Sequence, residues 1–402
     1  MFNPDEVKRW FATAPSEPAL EHAFGGKNLD HAVIKLADQP GGSTYAPEQI
    51  GELRPPTIIF GTPYDPNCLN GVAASPIFSK PVIMHTIRDA RVIGNSAVLS
   101  GDGRLLASAD VQSIGRRELL RRNRIGHDGF MMEEIPDGVS LRFAAREKPR
   151  RIPMNALFFH HLEGGNYGSF MFRQLPQMLE ARDRGIQFDC YITSGRTSWF
   201  QEALTLLGFP ARPVFQTNEV TGEVFESISM FDGFDNEGFI HPRTRERLSE
   251  CIQAEMLEHP KRGRRLYVSR ALSGLARPRY RSMRNEADIE DQLRARGFEV
   301  IYPETLTLVE QIRTFSSATH LLGPSGSGMF NIMFSPSHAR IVDVETFHVT
   351  VRQHAKLYSS MGHEYAFVFA PMDESDNSMP AHRSWRLPDE LLNQALTWLL
   401  SG

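Results

Sequence analysis

The chain has 402 residues, of which 41% are hydrophobic and 23% charged, and its formal net charge is −4. This is ordinary globular composition, long enough for two or three cores, and it excludes a disordered chain or one whose overall field recruits nucleic acid or an anionic membrane. Cys68, Cys190 and Cys251 are far apart, which suits a reducing compartment and offers no metal-ligand spacing.

The opening "MFNPDEVKRWFATAPSEPAL" lacks the apolar core of a leader peptide, and nowhere do eighteen apolar residues run together. The expectation is a cytoplasmic protein with no membrane span. From Ile58 to Ala145 short strand-like runs alternate with turn chemistry at Gly94-Asn95 and Asp102-Gly103, which predicts a small β-rich region. The following "GRRELLRRNRIG" groups Arg116, Arg117, Arg121, Arg122 and Arg124. It reads first as a solvated helical face, and it could also meet an anionic lipid or glycan, so peripheral association at the inner face of a membrane stays open.

From Met154 the pattern changes. "NALFFHHLEGGNYGSFMFRQLPQMLEARDRG" predicts a strand, a glycine turn and a helix from about Tyr167 to Ala181; "FDCYITSG" is the next strand, and "SWFQEALTLLGFP" is a helix closed by Gly208. The polar, basic "EHPKRGRR" marks a boundary. From Arg265 a second alternation follows: strand "RLYVSRA", a basic loop to Asn285, helix "EADIEDQLRARG", strand "FEVIYPE", helix "TLVEQIRTFSSA", strand "THLLG", a glycine bend, a helix, and strand "ARIVDVE". Pro388 starts the last helix. The organisation is therefore α/β, with residues 1–150 as an N-terminal region containing the β-rich segment, 151–260 as one Rossmann-like domain and 261–402 as another.

The bend lies in "ATHLLGPSGSGMFNIMFS", residues 318–335. A glycine turn between strand and helix lets backbone N–H groups approach a phosphate closely, and the helix start adds partial positive charge. Gly326, Gly328 and Asn331 match the dinucleotide fingerprint except that Asn331 replaces its last glycine, which counts against a dehydrogenase. No Lys follows, so this is not a P-loop, and neither Ser325 nor Ser327 sits in a G-x-S-x-G elbow. A tight turn that needs small residues for packing is the other reading of the same letters.

Four pieces in this order, "GGNYGSFMFRQLPQML", "RRLYVSRA", "RNEADIEDQLRARGFEVIYPETLTLVEQIRTFSSA" and "LLGPSGSGMFNIMF", together resemble glycosyltransferase family 61, which includes bacterial capsular-polysaccharide biosynthesis proteins. The resemblance covers roughly residues 155–367. It implies a GT-B fold, two Rossmann-like domains facing a cleft, and the β-rich N-terminal region suits bacterial members. It also implies inverting transfer of a sugar from a nucleotide-sugar to a growing surface glycan of capsular or lipopolysaccharide type, without a required metal or other cofactor. The partners are then a nucleotide-sugar, a UDP-sugar by expectation, and a glycan acceptor.

Residue chemistry agrees with that implication. Without a metal, the charge developing on a diphosphate leaving group must be met by cations and N–H donors. Arg270 at the end of "YVSR" and the amides of Gly326, Ser327 and Gly328 are the candidates, with Ser325 and Asn331 beside them and Arg284 as a secondary cation. Asn285 and Glu286 match the family's "NE", and read equally as a helix cap with an acid in the first turn. Glu310 matches its "EQ" and could bond a ribose or sugar hydroxyl, or be structural. Glu345 follows the bend by about twenty residues, the spacing at which an acid meets ribose hydroxyls in dinucleotide folds.

The chain also departs from the family. Many members carry His where it has Ser169, an acid where it has Arg173, and His where it has Ser325. Asn166, Ser169 and Arg173 then read as acceptor or phosphate contacts. Inversion still needs a group to take the acceptor hydroxyl's proton, and "HHLEGG" supplies His160, His161 and Glu163. His161 comes first because it lies nearer the glycines, and strand alternation would turn the two imidazoles to opposite faces. The same departures support an alternative, a non-catalytic sugar-nucleotide or glycan-binding protein with the same fold. The acids of "DGFD" and "DESD" read as surface turns rather than as a metal-binding pair.

Overall fold

The computed structural model describes residues 19–25, 33–35, 43–102, 105–107, 130–135, 138–144, 149–161, 163–183, 185, 187–234, 239–258, 263–272, 281–346 and 351–401. The basic segment 115–126 and part of the 258–265 boundary segment lie outside them. Contacts divide the chain into two units, Met1–Gln49 with Ser79–Asp235, and Ile50–Phe78 with Asn236–Gly402.

In the first unit the apolar run near Met154 forms the strand Arg151–Phe159, alternately exposed and buried as far as Asn155 and buried throughout from Ala156. Such a change of pattern marks a strand passing from a half-covered position to one covered on both faces. Cys190–Thr193 and Val224–Asp232 pair with it in parallel, one on each side, and Val214–Gln216 pairs beyond Cys190–Thr193. The connections therefore reverse direction between Arg151–Phe159 and Val224–Asp232. Ile152, Met154, Ala156 and Phe158 pack with Cys190, Ile192, Ile228 and Met230 in one core. The β-rich segment extends this same sheet. Val82–Ile93 runs antiparallel to Val224–Asp232 and turns at Gly94 (φ 57°) into Ala97–Leu99, as the Gly-Asn pair predicts. Three antiparallel strands, Ala19–Gly25, Gly138–Ala144 and Phe130–Ile135, form a separate sheet.

The second unit is built on six parallel strands in the spatial order Glu299–Ile301, Arg264–Val268, Ala318–Pro324, Arg340–Glu345, Glu364–Phe369 and Ile58–Gly61. The first strand of the alternation, Arg264–Val268, has its second on one side and its third on the other. This is the doubly wound order, and its switch point lies between Arg264–Val268 and Ala318–Pro324. Tyr267, Leu322, Val342 and Val368 meet Ile289, Leu293, Leu392 and Leu396 in the core. Those four aliphatic residues lie on Glu286–Ala295 and on Asp389–Leu399, the helix that Pro388 caps. Among the described residues no helix is long and apolar enough to cross a membrane.

Candidate active site

At the carboxyl end of Arg151–Phe159 the chain enters the "HHLEGG" turn. Gly164 and Gly195 cross there so closely that a Cβ on either would overlap the other segment's backbone, which fixes the turn against the end of Cys190–Thr193. Asn166 caps the next helix, its side chain accepting from Ser169 N at 3.2 Å. The helical stretch runs from Tyr167 to Asp183 as predicted, with a wide π turn over Phe170–Gln174 in its middle. Pro176 supplies a physical reason: it has no N–H for the carbonyl of Phe172 and its ring crowds that carbonyl, while Leu175 N bonds five residues back to Phe170. Single π turns inside α-helices occur often at functional sites.

This turn gathers the expected residues of the first unit. Ser169 Oγ donates to Glu163 Oε2 at 3.0 Å and accepts from Arg173 Nη1 at 3.1 Å, so an exposed carboxylate and a half-buried guanidinium share one buried hydroxyl. The histidines behave differently from the expected alternation, because the strand ends at Phe159 and both rings are buried. His160 Nε2 bonds the carbonyl of Phe231 at 2.6 Å, across the switch point. His161 Nδ1 accepts from Glu163 N at 3.1 Å. Burial, the Arg173 charge and the neighbouring His160 pull the pKa of His161 down to about 3. It is thus a neutral acceptor that shapes the turn, and Glu163 is the solvent-reachable base of the three. Gln174 and Gln177 hold the strand end through bonds to Phe159 O at 2.9 Å and His160 O at 3.0 Å.

In the second unit the switch point is occupied by Arg270. Its Nη1 donates to Ser325 O at 2.8 Å, joining the ends of two neighbouring parallel strands. Gly326 permits this: a Cβ there would stand 3.2 Å from Arg270 Nη1. Gly323 also requires glycine, since its Cβ would come within 2.8 Å of Val268 O. The expected helix after the bend is a 3-10 helix, Ser327–Phe334, whose first N–H groups have no preceding turn to bond. The Ser325 side chain is buried beneath the bend, 3.4 Å from His354 Nδ1, so the carbonyl of Ser325 faces Arg270. Asn331 is buried and donates to Gly328 O at 3.1 Å, which braces the helix start.

Other expected residues are engaged elsewhere. Asn285 Nδ2 donates to Leu387 O at 2.8 Å, and its Oδ1 accepts from Leu387 N at 3.1 Å, so it fastens the C-terminal segment. Its neighbour Glu286 is the one at the switch point: Oε1 accepts from Arg270 N at 2.7 Å, and the residue lines a small pocket with Arg270, Arg281, Pro324 and Trp385. Burial raises the Glu286 carboxyl above its ordinary range, opposed by the Arg270 N–H and the Ser269 hydroxyl. Glu310 forms a capping box with Thr307, whose N–H and hydroxyl both donate to it at 2.8 Å and hold its pKa down. Glu345 is fully buried and pairs with Arg281 Nη2 at 2.6 Å. Arg284 pairs with Asp373, and Asp373 and Asp376 cap surface turns through Ser375, Ser378 and Ser384. Sequence reading passed over Arg281, one arginine among several in "RPRYRSMRN", because nothing local separates it from its neighbours.

Two sheets, each with named side chains at the carboxyl edge of its parallel strands where strand order reverses, give the α/β arrangement that binds ligands at switch points. The family model for glycosyltransferase 61 matches residues 167–342, from the helix after the "HHLEGG" turn to the strand after the glycine bend. That matched region resembles glycosyltransferase family 61, the family its four sequence pieces also resemble, and it supports a glycosyltransferase class for the protein. A search of curated proteins gave no match.

Proposed function

We propose that the protein is an inverting glycosyltransferase of surface-glycan assembly, of capsular or lipopolysaccharide type, that works in the cytoplasm on a nucleotide-sugar. The division of labour is that of a GT-B enzyme, with the nucleotide-sugar on the C-terminal unit and the acceptor on the N-terminal one. The observation that carries this reading is the Arg270 guanidinium at the switch point, seated on Ser325 O and against Gly326, at the start of the Ser327–Phe334 helix. A cation and helix-start N–H groups at one strand end are the donors a departing diphosphate needs. The acceptor oxygen attacks the anomeric carbon, the bond from that carbon to the diphosphate breaks with its electron pair going to the phosphate, and the acceptor's proton passes to the Glu163 carboxylate. Ser169 and Arg173 orient that carboxylate, and neither the donor step nor the proton step calls on a metal.

Incubation with a panel of nucleotide-sugars, following release of nucleoside diphosphate, tests the reading. Slow donor hydrolysis or transfer is the expected result. Saturable binding with no release under any acceptor would convert the protein into the non-catalytic alternative.

A further inference from the structure

The switch-point pocket contains a second arginine. Arg281 lines it together with Arg270, Glu286, Pro324 and Trp385. Its backbone lies in the left-handed region, φ 55°, which a non-glycine residue adopts only when its surroundings over-determine it. Three bonds do so here. Arg281 N donates to His382 O at 2.9 Å, Trp385 Nε1 donates to Arg281 O at 2.9 Å, and Arg281 Nη2 donates to Glu345 at 2.6 Å. The side chain is 11% exposed. Its Nε is buried and finds no acceptor among the described residues. A buried guanidinium N–H without an acceptor is costly, and a strained residue held so firmly beside another arginine presents a donor set ready for an anion.

We infer that Arg281 is a second phosphate-binding cation, forming with Arg270 a two-arginine clamp on the diphosphate of the donor. This rests on the nucleotide-sugar reading of the second unit. The ion pair with Glu345 uses Nη2 and leaves Nε for a phosphate oxygen. Glu345 orients the clamp from the end of its strand instead of meeting a ribose. As the sugar leaves, the added negative charge falls between two fixed cations, which is the task a divalent ion performs in metal-dependent transferases.

Calorimetric titration with UDP, GDP, CDP and dTDP identifies the tightest nucleoside diphosphate for the wild type, which is then carried into the variants. Arg281→Ala should weaken it roughly 10- to 100-fold, comparable with Arg270→Ala. Because Arg281→Ala strands a buried carboxylate, the double variant Arg281→Met with Glu345→Gln removes the pair together. The clamp requires the double variant to stay as weak as the single one. Recovery of wild-type affinity in the double variant would make Arg281 only the structural partner of Glu345, and undiminished affinity in Arg281→Ala would likewise overturn the inference. If none of the four diphosphates binds the wild type, the nucleotide-binding reading fails and takes the clamp with it; if the wild type binds and only Arg270→Ala is impaired, the clamp alone fails.

Discussion

Arg270 Nη1 lies 2.8 Å from Ser325 O, so one side chain ties the carboxyl ends of two adjacent parallel strands. Without that bond the guanidinium would be one of many mobile surface cations, and with it the charge is held at the switch point before any ligand arrives.

Arg270→Ala should therefore cost about 1.5–3 kcal/mol of nucleoside diphosphate binding in a folded protein. Gly326→Ala should give a smaller loss of the same kind, because the new methyl would press on Nη1 from 3.2 Å. Titration calorimetry on both variants checks this, and equal affinity in all three proteins would remove Arg270 from the site.

Glu163→Gln keeps the bond to Ser169 but cannot take a proton, so turnover should fall by roughly 100- to 10,000-fold with nucleotide affinity nearly unchanged. His161→Asn preserves an acceptor for Glu163 N and should cost turnover much less. Steady-state kinetics decide the order. A large loss in His161→Asn with none in Glu163→Gln would return the proton-accepting role to the imidazole.

The same histidine makes a stability prediction. Burial holds the folded pKa of His161 at about 3, below the ordinary histidine value of 6.5, so the unfolded chain binds a proton first as pH falls. Its contribution is fully present above pH 6.5 and is lost progressively down to about pH 3, at up to roughly 1.4 kcal/mol per pH unit. Buried His160 is shifted in the same direction. Denaturant melts across that window should show a shallower pH dependence in His161→Asn than in the wild type.

Activity is expected to survive chelation. If arginines and helix-start N–H groups carry the leaving-group charge, EDTA should leave nucleotide release within about twofold of the untreated rate, whereas a lost metal role costs several kcal/mol. Loss on chelation with recovery on adding manganese or magnesium would replace this chemistry with a metal-dependent one.

Much of the second unit was legible because its signals are local. The apolar runs at Arg264–Val268 and Ala318–Pro324 are continuous, their turns carry glycine, and a basic side chain follows the first of them. The Gly94 hairpin and the Gly208 helix stop (φ 70°) were legible for the same reason. What escaped depends on direction or distance. Asn285 and Glu286 are neighbours, and nothing in their order says which reaches Leu387 and which reaches Arg270. Glu310 turns back onto its own helix, and Glu345 finds Arg281 across 64 residues. Pro176 was visible, but that the helix would widen into a π turn rather than kink was not.

The edge strand Ile58–Gly61 pairs with Glu364–Phe369, while Tyr365 Oη donates to Arg54 O at 2.5 Å and Thr57 N donates to Tyr365 O at 2.8 Å. On the ribosome these early residues emerge about three hundred residues before the strand they complete, so they wait through synthesis of everything between. Completing the sheet must then recruit a segment made about three hundred residues earlier, a long-range closure of the kind that slows folding. A fragment beginning after residue 235 would keep both arginines and the glycine bend, yet leave Glu364–Phe369 as an open edge able to pair with another copy. Co-expression of a peptide spanning residues 50–78 should quiet that edge, which makes the second unit separable only as two pieces.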